Sequence, residues 1–243
     1  MTSPSQSTRI VFTEGGKGGV AKTEVALSLV SWYQQNGIAP MLLDFDIENT
    51  GKSGLQNFFP AARKFNVHRE GALDELFDAC DGDQQIVLAD LGAGAGDATA
   101  HWFDQAFEDA AELGIRFTAV GVTTNDAGAV QSILKWATVL QRKVDYVIVL
   151  NEMRESPCDF EYWHDEPGVK EFCKMFSPAM VTMAARVPEL QAELRNQCVT
   201  LQDVIDGNVE TAFLRKTKNI ARAKRYQRQL FEGFANASHY LLP

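Results

Sequence analysis

The chain has 243 residues, 45% of them hydrophobic, and its 23 basic and 32 acidic side chains give a net charge of −9. That size suits one large α/β domain with a full core, and no apolar stretch is long enough to span a bilayer. Met1 to Thr8 lacks the apolar region of a signal peptide, and Cys80, Cys158, Cys173 and Cys198 lack the spacing of a zinc site. They read as buried or free thiols in a cytoplasmic protein.

Apolar, β-branched runs recur at Arg9–Thr13, Pro40–Asp44, Gln85–Asp90, Arg116–Val122, Tyr146–Leu150 and Met180–Met183. Helix-like segments lie between most of them: Lys22–Asn36, Gly71–Ala79, Asp97–Leu113 and Ala127–Arg142. The alternation predicts an α/β fold with a mainly parallel central sheet flanked by helices. Ile86-Val87-Leu88 is apolar at every position, as a strand buried on both faces should be. Ligands of such sheets sit at the carboxyl ends of the strands.

The first strand runs into Gly16-Lys17-Gly18-Gly19-Val20-Ala21-Lys22-Thr23-Glu24. Strand, glycine loop and helix together make the setting of a phosphate-binding loop. Glycines let backbone N–H groups approach a phosphate, and the helix N-terminus adds partial positive charge there. Lys22 is placed to reach the outer phosphates and Thr23 to hold Mg²⁺. The usual pattern fits only if Ala21 stands for its second glycine.

Three acids follow at strand ends. Asp44-Phe45-Asp46 closes the second predicted strand and Asp90 the third. An Asp at a strand end beside a phosphate loop suits a Mg²⁺ role, directly or through water. Asp44 and Asp46 alternate, so they share a face of an extended chain. Gly92, Ala93 and Gly94 supply a pliant backbone after Asp90. No Ser/His/Asp or Cys/His set stands apart from these, and the four histidines are isolated.

Residues 152–178 break the rhythm with three prolines, a Tyr162-Trp163-His164 cluster and several acids, and read as an excursion that is helical around Gly168–Met175. Charge then segregates: Arg215 to Arg228 holds seven basic and no acidic residues. On a helix at about 209–236, Arg215, Lys218, Arg222, Arg225 and Arg228 gather on one side. Phe213, Ile220, Ala223, Leu230, Phe231 and Phe234 gather opposite. The apolar face suits docking. The cationic face suits either solvent or the phosphates of a polyanion, with nucleic acid preferred over lipid.

Taken together, Lys17-Gly18-Gly19-Val20-x-Lys22-Thr23, Leu42 to Ile47, Asp90-x-x-Ala93-Gly94, Leu150-Asn151 and Arg186 to Leu190 resemble the MinD/ParA family of deviant Walker-A ATPases. The resemblance implies a single P-loop NTPase domain over 1–243 that binds ATP or ADP with Mg²⁺ and forms an ATP-dependent homodimer. It implies phosphate contacts from Lys22 and the loop from Gly16 to Glu24, and Mg²⁺ near Thr23, Asp44 and Asp90. It further implies water activation by Asp46, adenine contacts from Asn151 and Pro188, and a signature lysine, Lys17, reaching the partner's phosphates. Such proteins act in plasmid or chromosome partition, conjugation or cargo positioning, with a partner protein that the sequence does not identify.

Three positions depart from the pattern: Ala21 for glycine, Glu24 for a small or neutral residue, and Gly92 for proline. Ala21 predicts crowding or strain in the turn, and Glu24 a charge unfavourable to phosphate. Two alternatives to the ATP-driven switch follow. One is a nucleotide-binding regulator with little hydrolysis. The other is an ATP-dependent metabolic enzyme with a second pocket lined by Trp163.

Overall fold

The computed structural model describes residues 7–15, 17–46, 54–69, 71–92, 96–153 and 159–243. Gly16, Ile47, Ala93, Gly94 and Cys158, named above, lie outside the described residues. Seven parallel strands form one sheet: β1 (Arg9–Glu14), β2 (Met41–Asp44), β3 (Arg63–Lys64), β4 (Ile86–Asp90), β5 (Arg116–Thr123), β6 (Asp145–Asn151) and β7 (Ala179–Met183), in the order β3-β2-β4-β1-β5-β6-β7. The order reverses at β1, and the crevice beside that reversal is where an open α/β sheet binds ligands. The two-residue β3 precedes Asp90, which therefore ends the fourth strand rather than the third.

Two single-turn helices, α2 (Leu55–Phe58) and α3 (Glu75–Asp78), follow β2 and β3, and helices cover both faces. On one, α1 (Lys22–Gln35), α10 (Thr217–Asn236) and the short α11 (Ser238–Leu241) pack Val25, Leu29, Leu230, Phe234 and Leu241 against Val11, Leu88 and Val149. On the other, α4 (Gly96–Glu112), α5 (Ala127–Leu140) and α7 (Pro167–Phe176) pack Phe103, Ile133 and Phe172 against Ile10, Phe12 and Ile148. Alternation along β1 thus sends Ile10, Phe12 and Glu14 one way and Arg9, Val11 and Thr13 the other.

The excursion after β6 contains α6 (Glu161–Asp165) and α7. Trp163 is buried, with its ring 6.2 Å from that of Phe172. It packs into the core of this face and is not among the residues lining the cavity described below. A small side core holds α8 (Pro188–Gln197) and α9 (Leu201–Asp206) against α10 through Leu190, Leu194, Val204 and Tyr226.

The basic helix starts later than its composition predicts. Gly207 ends α9 with a φ of +80°, residues 208–216 are turns and coil, and α10 begins at Thr217. Buried Asn219 stabilises the turn by donating to the Phe213 carbonyl at 2.7 Å. Phe213 and Arg215 therefore precede the helix, and Arg215 donates through Nε to the Val209 carbonyl at 2.8 Å. The far end of α10 meets β7 closely: a Cβ on Gly233 would lie 2.6 Å from Val181.

Candidate functional site

Register brings the acids level. Thr13 pairs with Asp90 across β1 and β4, and Asp44 pairs with Asp90 across β2 and β4. The Thr13 hydroxyl donates to Asp90 Oδ1 at 2.7 Å, and buried Asp90 Oδ2 has no hydrogen-bond partner among the described residues. Burial pushes the Asp90 carboxyl up to about 6, with Asp44 and Asp46 adding repulsion and the Thr13 and Thr23 hydroxyls pulling it down. An orphaned buried oxygen beside a threonine hydroxyl, in a cluster of like charge, is what a cation would relieve.

Gly15 leaves β1 at a φ of +137°, and the loop turns back over the strand end. Lys22 Nζ donates to the carbonyls of Gly15 at 2.9 Å and Lys17 at 3.2 Å, so the amine lies inside the loop's own curl. Gly18 and Gly19 are open-sided, since a Cβ on either would meet nothing within 4 Å. With Lys22, Thr23 and Asp46 they line a cavity of about 240 Å³. The cradle and the orphaned Asp90 oxygen fit a phosphate chain with a divalent cation. Among the described residues no three His, Cys, Asp or Glu side chains form a metal cage.

The other predicted residues divide. Asp46 lines the cavity, while Asp44 is turned into its own loop. Asp44 Oδ1 accepts from the Asp46 N–H and Oδ2 from the Gln56 N–H, both at 3.0 Å, with Lys64 Nζ 3.9 Å from Oδ2. Gly92 has a packing reason: a Cβ there would lie 2.9 Å from Asp46 Oδ1 and 3.1 Å from its Cα. Asn151 and Pro188 do not line the cavity, and Asn151 Nδ2 donates to the Val20 carbonyl at 2.9 Å, bracing the loop from β6.

Lys17 also lies off the cavity, half-exposed and paired with Asp126. Asp126 is the N-cap of α5 and accepts from the Ala129 N–H at 3.0 Å. The Lys17 hydrogen bond, then the α5 backbone, holds this carboxyl below its usual range. Asn125-Asp126 before an apolar helix is a readable cap signature, yet its pairing with Lys17 spans 109 residues and leaves no local trace.

Ala21 is the N-cap of α1 in the left-handed region, at φ +79° and ψ +34°. The strain predicted there is present, of roughly 1–2 kcal/mol for a non-glycine residue. Glu24 is not a bare charge: it is buried and bonded to Arg186, Gln191 and Arg195. Sequence reading missed this set. Gln191 and Arg195 share a face of α8 at i, i+4 spacing, but nothing local shows that the face meets α1.

On α10, Lys218, Arg225 and Arg228 are exposed and Arg222 is half-buried. These four and Arg215 form no ion pair with a described residue. Among the described residues no helix is long and apolar enough to cross a membrane.

No family model matches this sequence, and no curated protein matches it. Solved structures do. MinD, a cell division protein of Aquifex aeolicus, superposes with a TM-score of 0.52 at 11% identity over 97% of this chain and 99% of that one. The chain has the fold of the MinD/ParA-type P-loop proteins. The MinC:MinD cell division complex of the same organism (TM-score 0.50, 12% identity, 97% and 98% of the chains) shares it. So does a Borrelia burgdorferi B31 protein assigned to plasmid partition and solved with AMPPNP (TM-score 0.50, 13% identity, 96% and 100%). The MinD-type fold places the glycine loop after β1 at the carboxyl edge of the sheet.

Proposed function

We propose that the chain is an ATP-binding and slowly hydrolysing dimerisation switch of the ParA/MinD type. It would act in the cytoplasm in plasmid or chromosome partition, conjugation or cargo positioning, with a partner protein of its own. The observation that carries this reading is the loop from Lys17 to Thr23, with the Lys22 amine inside its curl, at the same carboxyl edge of the sheet as the orphaned oxygen of Asp90.

The loop N–H groups and Lys22 bind the phosphates, and Thr23 and Asp90, with Asp44 behind them, hold Mg²⁺. Bound there, the cation neutralises phosphate charge. Asp46 orients the attacking water, and the reaction asks mainly for positioning and charge neutralisation. Asn151 and Pro188 flank the adenine. Lys17 leaves Asp126 and reaches the phosphates of a second copy, which ties hydrolysis to dimerisation. The unpaired cations of α10, with Arg215, take DNA phosphates non-specifically.

The Borrelia protein of the same fold holds AMPPNP, which supports the nucleotide. The strained Ala21 favours a second reading, a nucleotide-binding regulator with little or no hydrolysis. Sedimentation with ATP and Mg²⁺ tests the switch. The wild-type chain is expected to dimerise, and Lys17→Ala to bind ATP yet stay monomeric. A wild-type chain that remains monomeric at high concentration overturns the dimer. DNA retention at low salt should disappear in Arg222→Glu/Arg225→Glu/Arg228→Glu.

A further inference from the structure

The side chain one residue past Thr23 is the least expected feature of the cavity. Glu24 Oε1 accepts from Gln191 Nε2 at 2.7 Å and from Arg195 Nη2 and Nε at 2.9 and 3.2 Å, while Oε2 takes Arg186 Nη1. Glu24, Arg186 and Arg195 all line the same cavity as Gly18, Gly19 and Lys22. We propose that Arg186 and Arg195 bind the phosphates of the nucleotide as a second cationic wall facing the loop, and that Glu24 is the positioning residue that holds both there. The inference rests on the nucleotide reading of the loop and adds residues to it.

Charge decides what this cluster does. Four donors from Arg186, Gln191 and Arg195 close on the two oxygens of buried Glu24. Alone on the first turn of α1 it would repel a phosphate chain. Two guanidinium groups on one carboxylate turn the cluster to net positive. A guanidinium carries five N–H donors in a fixed fork. Arg186 donates to Glu24 through Nη1 alone, and Arg195 through Nε and Nη2. Neither guanidinium has another partner among the described residues. The remaining donors belong to side chains that line the cavity.

A purely structural tie between α1 and α8 explains less. A buried ion pair adds little stability over an apolar contact, and Arg195 has half its side chain in solvent. One carboxylate would need only one cation for that purpose.

The test is binding of ATP and ADP, by displacement of a fluorescent nucleotide, at several salt concentrations. Arg186→Ala and Arg195→Ala should each weaken both ligands about tenfold, as expected for loss of a charge-assisted hydrogen bond, and lower the slope of affinity against salt. Arg186→Lys should restore part of the loss. Glu24→Asp keeps the net charge but draws the arginines back, and should weaken both ligands several-fold. The double variant Glu24→Thr/Arg186→Ala removes both partners of the pair, so it tests the loss of the cation even if Arg186→Ala folds poorly. Arginine variants and a Glu24→Asp protein that bind like the wild type, with an unchanged salt slope, overturn this inference and leave the nucleotide reading intact. A wild-type chain that binds neither ATP nor ADP overturns both.

Discussion

The two ends of the sheet treat buried charge in opposite ways. At the amino ends of the strands, Arg9 is fully buried and donates to the Leu242 carbonyl at 2.8 Å, the Thr118 hydroxyl at 2.7 Å and Asp145 at 2.6 Å. Thr118 in turn donates to the Tyr240 carbonyl and Tyr33 to that of Leu241, so three successive carbonyls of the tail each receive a side-chain donor. At the carboxyl ends, Asp90 Oδ2 and both oxygens of Glu14 are buried without hydrogen-bond partners among the described residues. One end spends its polar groups on holding residues 240–242, with Arg9 Nη2 the one atom left over among the described residues. The other keeps them uncompensated. Buried polar groups are costly unless bonded, so the asymmetry sets a stabilising end against the end where the nucleotide is proposed to bind.

The largest test of that separation is Arg9→Met. It removes the donor to Leu242 and the partner of Asp145, which is itself one-third exposed and so a discounted ion pair. Urea unfolding should show a loss of about 2–4 kcal/mol, mostly from desolvated groups left without a donor. Nucleotide affinity should not move. A variant with normal stability but weaker ATP binding would show that the two ends are not independent.

Glu14 offers the reverse experiment. Burial raises its carboxyl to about 8 from a usual 4.5. Its Oε1 lies only 3.1 Å from where a Gly121 Cβ would stand, a position crowded by Ile133 and Ile148. The folded state therefore holds this proton more tightly than the unfolded chain does. The stabilisation is complete below about 4.5 and is lost as the pH rises through about 8. Glu14→Gln should leave stability at pH 4.5 nearly unchanged and raise it at pH 8 relative to the wild type. Thermal melts across that range would show a flatter profile. An identical profile in the variant would place Glu14 outside the uncompensated set.

Much of this was legible in the sequence, for local reasons. The six predicted strands rest on runs of apolar residues, and the loop rests on glycines and lysines whose meaning depends on near neighbours. Asp90 was placed at a strand end, and the register then set it beside Thr13. Missed features share one property: they join residues distant in sequence. Lys17 to Asp126, Glu24 to Arg186 and Arg9 to Leu242 are side-chain choices made by packing, without periodicity. The start of α10 was missed because basic composition extends into a turn that buried Asn219, not helix propensity, defines.

The smallest effect concerns Ala21, the strained residue at the ligand end. Its φ of +79° is one that glycine adopts freely and alanine does not. Ala21→Gly relieves the strain but adds freedom to the unfolded chain, so the net gain should be modest, about 0.5–1 kcal/mol. Its effect on turnover separates the two functional readings. If the methyl group damps hydrolysis by fixing the turn before Lys22, the variant should hydrolyse ATP faster at similar nucleotide affinity. A stabilised variant with unchanged turnover would mean that the strain belongs to the fold of the loop and not to its chemistry. The low-hydrolysis reading would then lose its main support.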